Sequence, residues 1–194
     1  MRERSGDGKG VVLGLASGQS VIARHAVFCT GYELSKGVQL DGHVVKSTWA
    51  MATRPVTSLP AWLRTTMVWE ASSPYLYLRT TQDGRVIAGG EDEESATRHQ
   101  NAAALLAKTE RIVSKVEALL PALSLTPSHA WAGAFGESPT GLPLIDRVAG
   151  LPRCYIVAGF GGNGITHSVI ASEVIAREID GEKDPDREMF RVPR

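Results

Sequence analysis

The sequence predicts a mixed α/β fold of the α+β type, with an antiparallel sheet and one long helix in the middle of the chain. Three observations support this class. Apolar and polar residues alternate in several β-branched runs, apolar residues recur at helical spacing after residue 100, and a glycine cluster near the C-terminus joins an apolar run to a second helix. The 194 residues are 43% hydrophobic and 22% charged, which is typical of a globular protein.

Composition excludes several functional classes. The 21 basic and 21 acidic residues are interspersed, so we expect no nucleic-acid-binding face. No apolar run reaches the roughly 18 residues of a membrane helix, and the polar, glycine-rich N-terminus is not a signal peptide. Cys29 and Cys154 lack C-x-x-C spacing, which predicts two buried thiols. The expectation is a soluble cytoplasmic protein with no metal, since the five histidines show no paired metal-ligand spacing.

The strands follow in order. Residues 11–15 and 20–28 are β-prone runs joined by "ASGQ", which predicts a hairpin, and the second run ends at Thr30 and Gly31. Residues 43–55 and 65–70 predict two more strands. The runs "YLYLRTT" and "RVIAGGE" flank an Asp83-Gly84 step, which is a strong hairpin signal.

The period then changes to that of a helix. One apolar stripe at helical spacing contains Leu105, Ile112, Val116 and Leu119, and Pro121 ends the predicted helix. The acidic residues 91–94 are expected just before this helix, where its dipole favours negative charge. Residues 131–148 predict a loop that leads into a short strand near 142–145.

The C-terminal part predicts a buried strand "CYIVAG", a glycine turn and a helix from about 163 to 179 that ends at Gly181. The charged tail is expected to be an extended surface strap. Residues 1–35 and 140–194 are predicted to pack together as one discontinuous domain. Residues 36–139, with the antiparallel sheet and the long helix, form the other.

The glycine turn satisfies G-x-G-x-x-G, with Gly159, Gly161 and Gly164. Only about 30 residues follow it and they contain no convincing strand, so it is not a primary pyrophosphate loop. Four glycines in six residues at a helix start could expose backbone amides to an anionic ligand. The alternative is a tight turn in which glycine relieves crowding, but the number of glycines directly before the helix favours approach of a ligand.

Four segments carry a resemblance to a known family. "AGFGGNGITHSVIASEVIAREIDG" resembles the C-terminal flavin-contacting segment of the D-amino-acid oxidase-like superfamily of FAD-dependent oxidoreductases, which includes glycine oxidase and sarcosine oxidase. "IARHAVFCTGYE", "YLYLRTTQDGRVIAGGEDE" and "WAGAFGESPTGLPLID" are similar to three other segments of that family, in the same order. Thr140 stands where the family usually has aspartate.

The resemblance implies an FAD site at the start of the last helix, where the helix dipole stabilises reduced flavin. Members of the family that attach flavin covalently use a cysteine in the region of Gly133. This sequence has no cysteine there, so the FAD is expected to be noncovalent. Thr30 and Gly31 alone would be an ordinary strand end. The implied cofactor-binding residues are Thr30, Gly31, Gly159, Gly161, Gly162, Asn163, Gly164, Ile165 and Thr166.

The resemblance also implies a substrate site. Arg79 stands where relatives that oxidise amino acids hold an arginine for the substrate carboxylate, and we take Arg79 and Tyr77 as candidate catalytic residues. Strand alternation places Tyr75, Tyr77 and Arg79 on one face, which is either a pocket wall or a solvent-facing stripe with a surface arginine. Trp49 and Trp131 are either pocket walls or core residues.

The family's N-terminal βαβ unit has no counterpart in this sequence, so the chain resembles the C-terminal portion of such an enzyme. The implied reaction is oxidation of the C–N bond of a small amine or amino acid by hydride transfer to flavin. The alternative is a noncatalytic truncated remnant, or a subunit of a split flavoenzyme that depends on a missing N-terminal half.

Overall fold

The computed structural model describes residues 2–5, 10–34, 38 and 40–192. The chain divides into two compact units, residues 1–44 with 135–194 (unit 1) and residues 45–134 (unit 2). The elements are β1 Arg2–Ser5, β2 Val11–Gly14, β3 Ser20–Ala23, β4 Ala26–Phe28, β5 Val44–Thr53, β6 Val68–Trp69, β7 Leu76–Thr80, β8 Val86–Glu93, α1 Ala102–Leu119, β9 Pro127–Glu137, β10 Leu144–Arg147, β11 Cys154–Ala158 and α2 Gly164–Asp180.

Unit 2 is built on a five-stranded sheet in the order β6-β7-β8-β5-β9, in which β6, β7, β8 and β5 pair antiparallel. The predicted hairpin of β7 and β8 is confirmed, and Gly84 in its turn has φ +82°. Asn101 caps α1 by accepting a 2.9 Å hydrogen bond from the amide of Ala104. Ile112 and Val116 of this helix are fully buried in the same cluster as the sheet residues Leu76, Leu78 and Met51.

Two expectations for this part of the chain are wrong. Residues 131–137, predicted to be the start of a loop, belong to the long strand β9, Pro127–Glu137. Its small residues carry weak strand propensity, and the strand forms because β5 offers it a neighbouring edge. The acidic residues 91–93 belong to β8, and the first turn of α1 contains no acidic residue. Trp49 is a core residue at 1% exposure, whereas Trp131 is 46% exposed.

Unit 1 contains two three-stranded sheets among its described residues, in the orders β1-β2-β3 and β10-β11-β4. The predicted hairpin of β2 and β3 is confirmed, but the run 20–28 divides into two strands that belong to different sheets. The break between the two strands lies at Arg24 and His25. Directly after it, the amide of Ala26 donates a 3.0 Å hydrogen bond to the carbonyl of Arg153. β4 therefore joins β11 in a parallel pair.

The C-terminal elements follow the prediction closely. All five residues of β11 are buried, and α2 ends at Gly181, which has φ +77°. The charged tail, however, is not simply extended, because residues 187–190 form a 3-10 turn whose Phe190 is buried. Cys154 is buried as expected but Cys29 is exposed, and neither is in a disulfide. None of the described helices has the length and apolarity needed to cross a membrane.

Candidate functional site

Two turns of unit 1 emerge at the same edge of one sheet. β4 and β11 are parallel, with Phe28 opposite Ile156, so the chain leaves both strands in the same direction. Thr30 and Gly31 follow β4, and residues 159–164, here called the glycine turn, follow β11. In α/β sheets, ligands bind beyond the carboxyl ends of parallel strands. The topology thus brings together the two segments that the sequence predicts to border one cofactor.

The glycine turn is anchored by the end of β9. The amide of Gly161 donates to the carbonyl of Gly136 at 2.9 Å, and Glu137 forms an isolated bridge with Phe160. Gly159 and Gly161 have φ values of +69° and +55°, a left-handed conformation that favours glycine. A Cβ at Gly159 would also lie 3.3 Å from the Cβ of Ser138. Backbone geometry therefore accounts for these two glycines without a ligand.

Gly164 needs a different explanation. Its φ lies outside the left-handed region, and a Cβ built there would meet no heavy atom within 4 Å. Neither backbone strain nor crowding within the chain requires glycine at this position. The open space above Gly164 is available to a bound molecule, so the crowding explanation does not extend to the helix start.

The N-terminus of α2 presents unpaired backbone donors. The first helical hydrogen bond is donated by the amide of His167 to the carbonyl of Asn163 at 3.0 Å, and the Asn163 side chain does not cap the helix. Among the residues that the structure describes, the amides of Gly164, Ile165 and Thr166 meet no acceptor. Ile165 is 89% exposed. Such a helix start carries partial positive charge and attracts anionic or carbonyl oxygens.

His167 is a member of this site that the sequence patterns did not reveal. Its Nδ1 lies 3.1 Å from the carbonyl of Phe160, and the two rings are 6.4 Å apart. The carbonyl can only accept, so Nδ1 carries the proton and donates. This bond ties the first turn of α2 back to the glycine turn. The adjacency of a histidine to the helix start was visible in the sequence, but its partner is a backbone atom seven residues earlier.

A second candidate surface lies in unit 2, on the side of the sheet away from its core. Leu76 and Leu78 point into the core, so Tyr77 and Arg79 point to the opposite side, as predicted. Trp69 pairs with Tyr77 across β6 and β7, and its ring lies 6.3 Å from that of Tyr75. We call Trp69, Tyr75 and Tyr77 the aromatic face. Arg79 continues it and is exposed.

Tyr77 lies across a position that only glycine can occupy. Gly89 is its register partner in β8, and a Cβ at Gly89 would overlap the tyrosine hydroxyl and lie 2.7 Å from the carbonyl of Trp49. Burial, together with the negative charge of Asp92, raises the pKa of Tyr77 above its usual value. The hydroxyl therefore stays protonated at neutral pH and is a hydrogen-bond donor on this face.

An ionic cluster on the other side of the same sheet was not predicted. The buried carboxylate of Glu91 pairs with Lys115 at 2.5 Å, Arg111 at 3.2 Å and Lys108 at 3.5 Å. Burial alone would raise the pKa of Glu91, but the contacts with Lys115 and Arg111 prevail and lower it. The spacing of residues 108, 111 and 115 places them on one face of α1, which is the signal that could have revealed the cluster.

The parallel strand pair with its exposed helix start and the antiparallel sheet are the two features of the fold that the comparisons with known proteins address. The chain belongs to the family described as FAD dependent oxidoreductase (DAO), whose model matches residues 1–178. FAD is therefore the cofactor of the family to which this chain belongs.

Solved structures share the fold. Glycine oxidase from Geobacillus kaustophilus superposes with a TM-score of 0.80 at 19% identity, over 99% of this chain and 50% of that one. L-proline dehydrogenase from P. horikoshii superposes with a TM-score of 0.77 at 20% identity, over 98% of this chain and 52% of that one. Iminodiacetate oxidase from Chelativorans sp. BNC1 superposes with a TM-score of 0.77 at 18% identity, over 98% of this chain and 51% of that one. The chain thus spans about half the length of these proteins, and the fold class predicted from the sequence is confirmed.

A curated protein is also similar. It is the tRNA 5-methylaminomethyl-2-thiouridine biosynthesis bifunctional protein MnmC of Azoarcus sp. (strain BH72). The two are 33% identical over 92 aligned positions, which cover 38% of this chain and 14% of that protein.

Proposed function

We propose that the chain is the flavin- and substrate-contacting part of an FAD-dependent enzyme that oxidises the C–N bond of a small amine or amino acid. The observation that carries this proposal is the convergence of the two turns beside the open, unpaired start of α2. It supports a site for a planar, electron-rich ring, because Gly164 adds no side chain and the neighbouring amides donate.

Each unit contributes its own residues. A bound flavin would supply the acceptor for a hydride from the substrate carbon next to nitrogen, which leaves an imine that water hydrolyses. The amides of Gly164, Ile165 and Thr166 would stabilise negative charge on the ring. In unit 2, Arg79 would bind a substrate carboxylate through its fork of donors, and Tyr77 would line the same surface as a neutral hydroxyl.

The relatives support an amine as the substrate class. The names of glycine oxidase, L-proline dehydrogenase and iminodiacetate oxidase each denote a compound with a C–N bond. The aminomethyl group in the name of the curated relative is an amine as well.

We also propose that the FAD is noncovalent. Cys154 is buried within β11 and no cysteine lies near Gly133, so the chain offers no thiol at the position that covalent relatives use. Acid precipitation of the FAD-loaded protein should leave all flavin absorbance in the supernatant. Flavin that stays in the protein pellet would contradict this part of the proposal.

The second candidate is a noncatalytic remnant or a partner-dependent subunit. It is favoured by the share of the relatives that the chain spans, and by apolar side chains on β3 and β4, of which Ile22 is 79% and Val27 42% exposed. An N-terminal half, on the same chain or on a partner, would cover such residues.

Addition of FAD to the purified chain, followed by gel filtration to remove unbound FAD, tests these alternatives through the visible absorbance that stays with the protein. A visible flavin band that bleaches when amines or amino acids are added supports the enzyme. A band that develops only after an N-terminal-half polypeptide is supplied supports the partner-dependent subunit. If neither condition gives a band, the assignment of the glycine turn to flavin is wrong.

A further inference from the structure

The antiparallel pair of β5 and β8 contains a bulge whose position is informative. Trp49 pairs with Gly90 and Ser47 pairs with Glu93, so the single residue Thr48 faces two residues, Glu91 and Asp92. Glu91 has φ +58°, a left-handed conformation that a non-glycine residue adopts at a cost of about 1–2 kcal/mol. Bulges that re-aim a side chain are concentrated next to functional sites.

The ionic cluster explains how this conformation is maintained. The Glu91 carboxylate is fully buried and pairs with three basic side chains of α1. The ammonium group of Lys108 also donates to the carbonyl oxygen of Glu91 at 2.6 Å and pairs with Glu93 at 2.9 Å. Contacts to both its backbone and its side chain thus fix Glu91 against the helix.

The consequence concerns Asp92. Glu91 and Glu93 both point toward α1, and Asp92 lies between them in the strand, so its side chain points to the opposite side of the sheet. That side carries the aromatic face, and the Asp92 charge accordingly acts on Tyr77. Without the extra residue of the bulge, strict alternation from Gly89 would direct residue 92 into the core.

The carboxylate of Asp92 is also incompletely satisfied. Its Oδ1 is inaccessible to solvent and has no hydrogen-bond partner within the described part of the chain. A buried carboxylate oxygen without a donor is costly, so such a group calls for an explanation, and a donor supplied by a bound molecule is one. Aromatic rings beside a carboxylate form a surface that suits a cation, because both attract positive charge.

We propose that Asp92 is a specificity-determining residue, whose carboxylate binds the positively charged nitrogen of the substrate against the aromatic face. This inference rests on the proposed function, which makes an amine or amino acid the substrate, and it names the residue that selects the cation. The ionic cluster of Glu91 acts through the bulge and positions Asp92 without contact to the substrate.

Calorimetric titration of the full chain with two probes of equal shape tests the proposal. Benzylamine is a cation at neutral pH and benzyl alcohol is neutral. The wild-type chain is expected to bind benzylamine at least about tenfold more tightly, as for a charge-assisted hydrogen bond. Asp92→Asn should reduce the preference to less than about twofold. Glu94→Gln, which removes the same charge from an exposed neighbouring residue, should retain it.

Asp92→Glu keeps the charge and should retain most of the preference, which guards against a result caused by misfolding of Asp92→Asn. Equal affinity of the wild type for both probes, no binding of either, or an undiminished preference in a folded Asp92→Asn would overturn the proposal. In a parallel experiment FAD is added to the same proteins, unbound FAD is removed by gel filtration, and the flavin absorbance that stays with each protein is measured. Flavin binding without cation preference refutes the role of Asp92 alone, and cation preference without flavin binding refutes only the flavin site.

Discussion

Phe28 and Ile156 lie opposite each other in a parallel strand pair, and both are buried. This relationship brings two turns that are about 130 residues apart in the sequence to one edge of a sheet. An antiparallel pair would have sent Gly31 and the glycine turn to opposite edges. The direction of β4, more than the glycine pattern itself, is therefore what creates a candidate cofactor site in unit 1.

Gly164→Leu should weaken FAD binding without unfolding the chain. The position tolerates a side chain, because its φ is not left-handed and no atom lies within 4 Å of a Cβ there. A leucine would instead fill the space next to the free amides of α2. We expect FAD affinity to fall at least about tenfold, since the flavin would have to displace the new side chain before it could reach these amides. Fluorescence titration of FAD and thermal unfolding measure the two effects.

Ala176→Leu is the matched control for this substitution. Ala176 is also an exposed residue of α2, but it lies 12 residues, or about three turns, after Gly164. The control should bind FAD as the wild type does. Equal FAD affinity of Gly164→Leu and Ala176→Leu would show that flavin does not approach the start of α2.

Local signals made part of this architecture predictable. The Asp83-Gly84 step fixes a tight turn through a left-handed glycine, and Gly181 ends α2 for the same reason. The helical stripe that includes Ile112 and Val116 is visible because burial repeats with the helical period. The position of the glycine turn and the alternation of Tyr77 with Leu78 could also be predicted, because both follow from local sequence patterns.

Features that depend on distant partners could not be predicted from local patterns. β9 contains small residues with weak strand preference, and its structure comes from the neighbouring strand β5. The bulge at Glu91 requires three basic residues of a later helix, so the acidic run alone looked like a helix-start signal. Asp92 could not be assigned to a face until the bulge was known, because one extra residue reverses the alternation.

Arg79→Gln should weaken recognition of carboxylate-bearing substrates. Arg79 is exposed on the same side of the sheet as Tyr77, and glutamine cannot form the charged, two-pronged pair with a carboxylate. In an active FAD-loaded form, we expect kcat/KM for amino acids to fall about 100-fold, while the value for the corresponding amines without a carboxylate changes little. Arg64→Gln, at another exposed arginine of unit 2, serves as the control. Equal losses for both substrate types would contradict the assignment.

Glu91→Gln should destabilise unit 2. The substitution removes a buried negative charge that pairs with Lys108, Arg111 and Lys115. Breaking one side of a buried ion pair costs about 3–5 kcal/mol, which corresponds to a decrease in Tm of roughly 6–20 °C at this chain length. Thermal unfolding followed by circular dichroism measures the change. Glu94→Gln should leave Tm nearly unchanged, and an equal Tm for wild type and Glu91→Gln would show that the cluster contributes little.

The same carboxylate should make stability depend on acid pH. The pKa of Glu91 is lowered in the folded chain, so the ionised form binds its partners and the stabilisation is complete above the unfolded pKa of about 4.3. As the pH falls from there through the lowered folded pKa, Glu91 takes up a proton and this stabilisation is lost. The difference in free energy of unfolding between wild type and Glu91→Gln should therefore shrink below about pH 4. A difference that stays constant from neutral pH to this range would contradict the role of ionised Glu91.

Bound FAD should protect Cys29 from chemical modification. Cys29 is exposed and directly precedes Thr30 and Gly31, whereas Cys154 is buried in β11. Partial desolvation raises the pKa of the Cys29 thiol, so labelling with a thiol reagent is best performed near pH 9, where more thiolate is present. One thiol should react quickly in the folded chain, and Cys29→Ser should remove that reaction. Saturating FAD should slow it at least about fivefold if the cofactor covers this turn, because the reagent and the flavin then compete for the same edge of the sheet. Unchanged labelling with FAD fully bound would place the cofactor elsewhere, even if Gly164→Leu blocks binding.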